Sequence, residues 1–157
     1  MIPFDTLLIF AAASVALAAA PGPDNIFVLT QAAVHGRLAG ICVTLGLLTG
    51  ILVHTALVAI GVAAIFQTSA LAFTALKLVG AAYLVFLAVK AFRAGAERIE
   101  GGAPRRLSLT KLYRVGIVMN VTNPKVAIFF LAFLPQFADP ALGSVPVQIA
   151  LLGIVFI

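Results

Sequence analysis

The chain has 157 residues, 63% of them hydrophobic and only 10% charged, with a net charge of +5 and a mean hydropathy of +1.20. A soluble domain carries roughly 45–50% apolar and ~25% charged residues, so a water-soluble globule is excluded and an integral membrane protein is expected. The single cysteine, Cys42, excludes an internal disulfide and a thiolate metal cluster.

Five apolar stretches, at 4–34, 38–66, 70–92, 115–137 and from 145 onward, read as membrane helices, since about 20 residues cross the hydrocarbon as a helix. The strict in/out alternation of barrel strands does not occur in the sequence. The expected class is therefore an all-α, multi-spanning helical bundle forming one transmembrane domain over 1–157.

The first stretch contains Ala18-Ala19-Ala20, which resembles a signal-peptide cleavage site. Asp5 and the lack of a basic residue before it favour a retained helix instead. That helix is interrupted by "PGPDN" at 21–25. Pro21 and Pro23 each remove a backbone donor, freeing the carbonyls of Leu17 and Ala19. Asp24 sits where an ionisable group costs at least ~2.5–3.5 kcal/mol.

Leading into and along the second stretch, Gly36, Gly40, Gly46 and Gly50 form two small-xxx-small pairs that admit the close approach of another helix. His54 follows Gly50 by one turn on the same face. A packed, hydrogen-bonded histidine is one reading, and a proton-coupling group is the other, because its ordinary pKa near 6.5 suits that task. In the third stretch Lys77 can snorkel to the outer interface, and Tyr83 and Phe86 read as packing residues.

Between the third and fourth stretches, 90–114 holds seven Lys and Arg against two Glu, which accounts for the whole net charge. With Gly101, Gly102 and Pro104 at its centre it reads as a flexible loop. The positive-inside rule places it in the cytoplasm, a better account of its charge than contact with nucleic acid. The N-terminus then lies outside, the corner at His35 and Arg37 inside, and the loops at 67–69 and 139–144 outside.

The fourth stretch is interrupted by "NVTNPK" at 120–125, where Pro124 frees the carbonyl of Asn120 and Lys125 supplies a second buried charge. The fifth ends in "VQIALLGIVFI" with no cap or polar tail and reads as incomplete. Dividing the chain at the loop gives a first half over 1–92, the loop 93–114, and an incomplete second half over 115–157. Three spans per half is an odd number, so the halves enter the membrane from opposite sides as an inverted repeat. Paired Pro/Gly breaks in corresponding helices of such repeats point to a binding site at the midplane.

No H-E-x-x-H, G-x-S-x-G or P-loop occurs in the sequence, the two histidines stand 19 residues apart, and Asp5, Asp24 and Asp139 are scattered. The sequence thus offers no support for an enzyme, a metal site or a cofactor.

The segments "APGPDNIFVLTQAAVHGRLAG", "LGLLTGILVH", "LKLVGAAYLVFLAVKAFR" and "GIVMNVTNPKVAIFFLAFLPQF" closely resemble the LysE/RhtB family of small bacterial amino-acid exporters. The resemblance covers nearly the whole chain in order. It implies a six-helix protein of the bacterial inner membrane that exports amino acids or derivatives in exchange for protons, often as a homodimer, and a chain here lacking the end of helix five and all of helix six. The family's P-G-P motif falls on Pro21, Gly22 and Pro23, followed by Asp24 and Asn25; its N-P-K motif falls on Asn123, Pro124 and Lys125. Many members carry an acidic residue where this chain has Ile51, which shifts weight onto Asp24 and His54 and away from a strongly basic substrate.

These residues make up the expected substrate site. Lys125 or half-helix amides would meet the carboxylate of an amino acid, Asp24 would meet its ammonium, and Asp24 or His54 would carry the coupled proton. When the site is empty, Asp24 and Lys125 would neutralise one another. A channel without obligatory exchange and a structural or assembly subunit are the competing readings.

Overall fold

The computed structural model describes residues 2–20, 22–68, 70–93 and 107–157. Among the described residues there are seven α-helices and no strand: α1 Phe4–Ala19, α2 Pro23–His35, α3 Arg37–Thr68, α4 Ala70–Arg93, α5 Leu109–Val121, α6 Pro124–Ile128 and α7 Val145–Phe156. Between α6 and α7 the backbone widens into a π turn at Phe129–Phe133, then tightens into 3-10 turns at Leu134–Phe137 and Pro140–Leu142. Helix thus occupies all five apolar stretches, as an all-α membrane protein requires. The basic segment at 94–106 lies outside the described residues.

Prolines and small polar residues set the helix starts. Pro23 and Pro124 stand in the first turns of α2 and α6, where a missing N–H has no intrahelical partner to lose. Ser108 caps α5 by accepting the Lys111 N–H at 3.3 Å. At the corner between α2 and α3, Gly36 has φ +89 and nothing within 4 Å of where a side chain would stand. It is there for a backbone conformation that other residues enter only at a cost, and not for the helix contact that the spacing of glycines suggested.

The other three glycines of that series do make close contacts. Gly40 lies against Ala32 of α2, whose Cβ would be 2.8 Å from a methyl placed on it. Gly46 faces Gly116 and the Tyr113 carbonyl of α5, and Gly50 faces Asn120. The α3 and α5 backbones therefore run nearly in contact, and α3 also packs on α2 and α7. On the α7 side, a methyl on Gly153 would collide with Thr55. Thr49 Oγ1 and the Tyr113 hydroxyl, 2.9 Å apart, add a hydrogen bond across the α3 and α5 pair.

The stretch Arg37–Gly61 is long and apolar enough to cross a bilayer as one straight helix. The pairs α1 with α2, and α5 with α6 and the turns that follow, each qualify as one span bent by 60° and 49° respectively. The twelve residues of α7 rise only about 18 Å, against ~30 Å of hydrocarbon.

Phenylalanines fill the core where α1, the π turn and α7 converge. Phe10 and Phe130 are fully buried, and ring centroids lie 5.2 Å apart for Phe10 and Phe137, 4.9 Å for Phe129 and Phe133, and 5.1 Å for Phe130 and Phe156. Offset and edge-on pairs of this kind add to the burial of their area. On the outside, Ile60 and Leu71 are 75% and 79% exposed; such a surface suits hydrocarbon and not water.

The α3 and α5 contact yields a test. Gly46→Val should lower the stability of the detergent-purified protein by about 1–3 kcal/mol through overpacking, read as a lower thermal midpoint. Gly61→Ala, placed where no packed neighbour among the described residues lies within 4 Å, should leave that midpoint unlowered.

Candidate functional site

The two bends bring the interrupted segments together. The last regular bond of α1 runs from the Ala20 N–H to the Ala16 carbonyl at 3.1 Å. Beyond it the carbonyls at the helix end have lost their backbone donors, and two side chains replace them. Lys125 Nζ donates to the carbonyls of Leu17 at 3.3 Å and Ala20 at 3.1 Å. Asn25 Nδ2 donates to Ala18 at 2.8 Å and Ala20 at 3.3 Å. The carbonyls that find side-chain donors are those of Leu17, Ala18 and Ala20, a set that overlaps the expected Leu17 and Ala19 in one member. The cation stands at the negative end of the α1 dipole, where it is stabilised. Gly22 leaves room for it, since a methyl at Gly22 would lie 3.1 Å from Lys125 Nζ.

The second break mirrors this economy. Asn123 caps α6, its Oδ1 accepting the Lys125 N–H at 2.9 Å. Its Nδ2 donates to Asp24 Oδ2 at 2.8 Å, a buried bond that joins segments 99 residues apart. Asp24 lies in the first turn of α2, at the positive end of that dipole. The carboxylate thus takes the Asn123 amide and the ammonium takes the α1 carbonyls. Each charge thus has its own set of hydrogen-bond partners, and the Asp24 carboxylate acts on Lys125 through space.

The carbonyl of Asn120, which Pro124 deprives of its ordinary donor, accepts the Asn123 N–H at 3.0 Å and faces His54 Nε2 at 3.2 Å. A carbonyl can only accept, so Nε2 carries the hydrogen. His54 is buried, with its ring 5.8 Å from that of Phe130, and it braces α3 against the break in the second discontinuous helix. Among the described residues, Asp24 Oδ1 and Asn120 Oδ1 are the buried side-chain polar atoms that find no partner.

Of the expected site residues, Gly22, Asp24, Asn25, Asn123 and Lys125 therefore share one network, Pro23 and Pro124 start the helices that carry it, and Pro21 lies outside the described residues. Asn120 was expected for the carbonyl that Pro124 frees; its buried side chain, set against Gly50, was not among the expected site residues. A separate groove of about 530 Å³ runs along the outer face of α5 between Ser108 and Met119 and touches none of these residues.

The fold and site define a multi-spanning helical membrane protein in which two broken helices meet at a buried acid, a buried amide pair and a lysine. The sequence model for the LysE type translocator matches residues 15–157, and the chain belongs to that family. It is 32% identical over 127 residues to the homoserine/homoserine lactone efflux protein of Salmonella typhimurium, covering 81% of this chain and 62% of the relative. An uncharacterized membrane protein of Pseudomonas aeruginosa is 29% identical over 76% of this chain and 58% of its own length. One from Vibrio cholerae is 38% identical over 46% of this chain and 35% of its own length. The chain thus spans less than two thirds of the length of each of these relatives. No solved structure matches it at a significant level.

Loss of the His54 brace is measurable. His54→Ala should cost about 1–3 kcal/mol by leaving a buried carbonyl short of a donor, seen as a lower thermal midpoint in detergent. His54→Gln, which keeps an N–H donor, should recover part of that loss.

Proposed function

We propose that the protein exports amino acids or their derivatives across the bacterial inner membrane in exchange for protons, with the junction of the two broken helices as the substrate site. The observation that carries this reading is Asp24: a carboxylate 9% exposed, held on one oxygen by Asn123 and with its other oxygen unpartnered. One Asp24 oxygen joins the two breaks, but the unpartnered one is a cost in an apolar bundle unless something binds to it. Membership of a translocator family supports the reading. So does the Salmonella relative, whose name joins homoserine and its lactone, two compounds that share an α-ammonium group while only one has a free carboxylate.

In this mechanism the ionised Asp24 attracts the substrate ammonium. A proton arriving from outside neutralises Asp24 and weakens that attraction, so proton entry and substrate release exclude each other. His54 is a further titratable group within reach of the network, through the Asn120 carbonyl. The halves 1–92 and 115–157, related as an inverted repeat and joined by the cytoplasmic loop 93–114, would rock against each other to alternate access. The excess of Lys and Arg in that loop supports its cytoplasmic placement and an outside N-terminus.

Asp24→Asn should insert normally and lower the efflux of preloaded homoserine by at least about tenfold, measured in cells or proteoliposomes. An uncoupler should abolish accumulation against a gradient by the unmodified protein. Efflux by Asp24→Asn at the unmodified rate would sink the role of Asp24, and uphill efflux that survives the uncoupler would sink the exchange.

A further inference from the structure

One side of α5 is packed and the other is bare. Leu112, Gly116 and Asn120, spaced four residues apart, are its buried positions, and they face Val43, Gly46 and Gly50 of α3. On the outer side Lys111, Arg114, Val115 and Val118 recur at the intervals of three and four that share a helix face. They line the outer groove of about 530 Å³, whose walls among the described residues all come from 108–119.

The groove changes character along its length. At its start Lys111 stands in the first turn of α5 and Arg114 in the second, both exposed. Ser108 and Thr110 add hydroxyls there; Ser108 Oγ accepts the Lys111 N–H, so its O–H is left to donate outward. Beyond Arg114 the lining is apolar, with Val115, Val118 and Met119, and Val118 is 60% exposed. No carboxylate among the described residues lines the groove: Asp5 opens α1, Asp24 opens α2 and Asp139 caps the turn at 140–142. Cations and hydroxyls at one end and hydrocarbon at the other match a phosphate joined to an acyl chain.

We propose that this groove holds one anionic phospholipid of the leaflet next to the basic loop 93–114, its phosphate on Lys111 and Arg114 and one acyl chain along Val115, Val118 and Met119. The site is separate from the junction of the broken helices and does not depend on the export reading. Arg114 offers a planar fork to phosphate oxygens and Lys111 a point charge, and the positive end of α5 favours the same anion. A free phosphate would leave the apolar part of the groove unused. A second copy fits less well: two copies with one orientation in the membrane are related by an axis along its normal, which opposes each cationic end to its like. An apolar helix laid in the groove would cover Val118 but leave both cations without an anion.

The test is native mass spectrometry of the detergent-purified full chain, titrated with phosphatidylglycerol, with phosphatidylcholine of the same acyl chains, and with glycerol phosphate as a headgroup without tails. Phosphatidylglycerol should bind at least about tenfold more tightly than either of the others, as two basic groups at a membrane surface allow. Lys111→Gln combined with Arg114→Gln should bring it to the level of phosphatidylcholine. Arg37→Gln, on a different helix, should leave the preference within about twofold of its original value, because the attraction falls off within a Debye length. If the double variant does not fold, the single changes carry the test, each expected to remove about threefold of the preference. Equal binding of the two lipids, glycerol phosphate bound as tightly as phosphatidylglycerol, or a preference that survives loss of both cations overturns the proposal. So does a dimer that excludes phosphatidylglycerol and whose assembly changes in the double variant, which would assign this face to a second copy.

Discussion

A membrane interior supplies no water to a backbone that has lost its own hydrogen bonds, so each donor removed by a proline must be replaced from within the protein. The junction of α1, α2, α5 and α6 follows from that constraint. Lys125 and Asn25 serve the end of α1, His54 serves the end of α5, and Asn123 starts α6. Polar side chains costly to insert in lipid are stabilised here because the carbonyls they meet would otherwise be unpaired. The breaks and the charges offset each other's cost, and neither is stable in this environment alone.

This exchange needs a rigid frame, and α3 provides it. Three glycines along one helix, Gly40, Gly46 and Gly50, bring α2 and α5 close to its axis, so the backbone at Asn120 comes within reach of His54 on α3. In lipid, where apolar surface has no preference for other apolar surface, close packing of small residues is a main source of helix association. The phenylalanine cluster around Phe10, Phe129 and Phe156 anchors the other side of the broken segment against α1 and α7.

Much of this was legible in the letters. Proline in a membrane helix declares which carbonyl it orphans, and a lone acid or lysine beside it declares a cost, so both breaks and the charges Asp24 and Lys125 stood out. The partners of those charges did not, because the bond between Asn123 and Asp24 depends on how bends of 60° and 49° bring together residues 99 positions apart. Glycine was ambiguous for a related reason. Gly36 serves a backbone angle while Gly46 serves a helix contact, and spacing alone writes the two identically. The amide of Asn120 left no mark beyond its distance from Pro124, and the π turn at Phe129–Phe133 has no local signal in a run of phenylalanine and leucine.

Asn123 uses both ends of its amide at once, giving an oxygen to the start of α6 and an N–H to the acid of α2. Aspartate could keep the cap but has no hydrogen to give, glutamine is one methylene too long for the cap, and serine has a single atom for two tasks. At this position the genetic alphabet offers one letter. The first and second halves of the protein thus meet through a residue whose replacement alters both contacts at once.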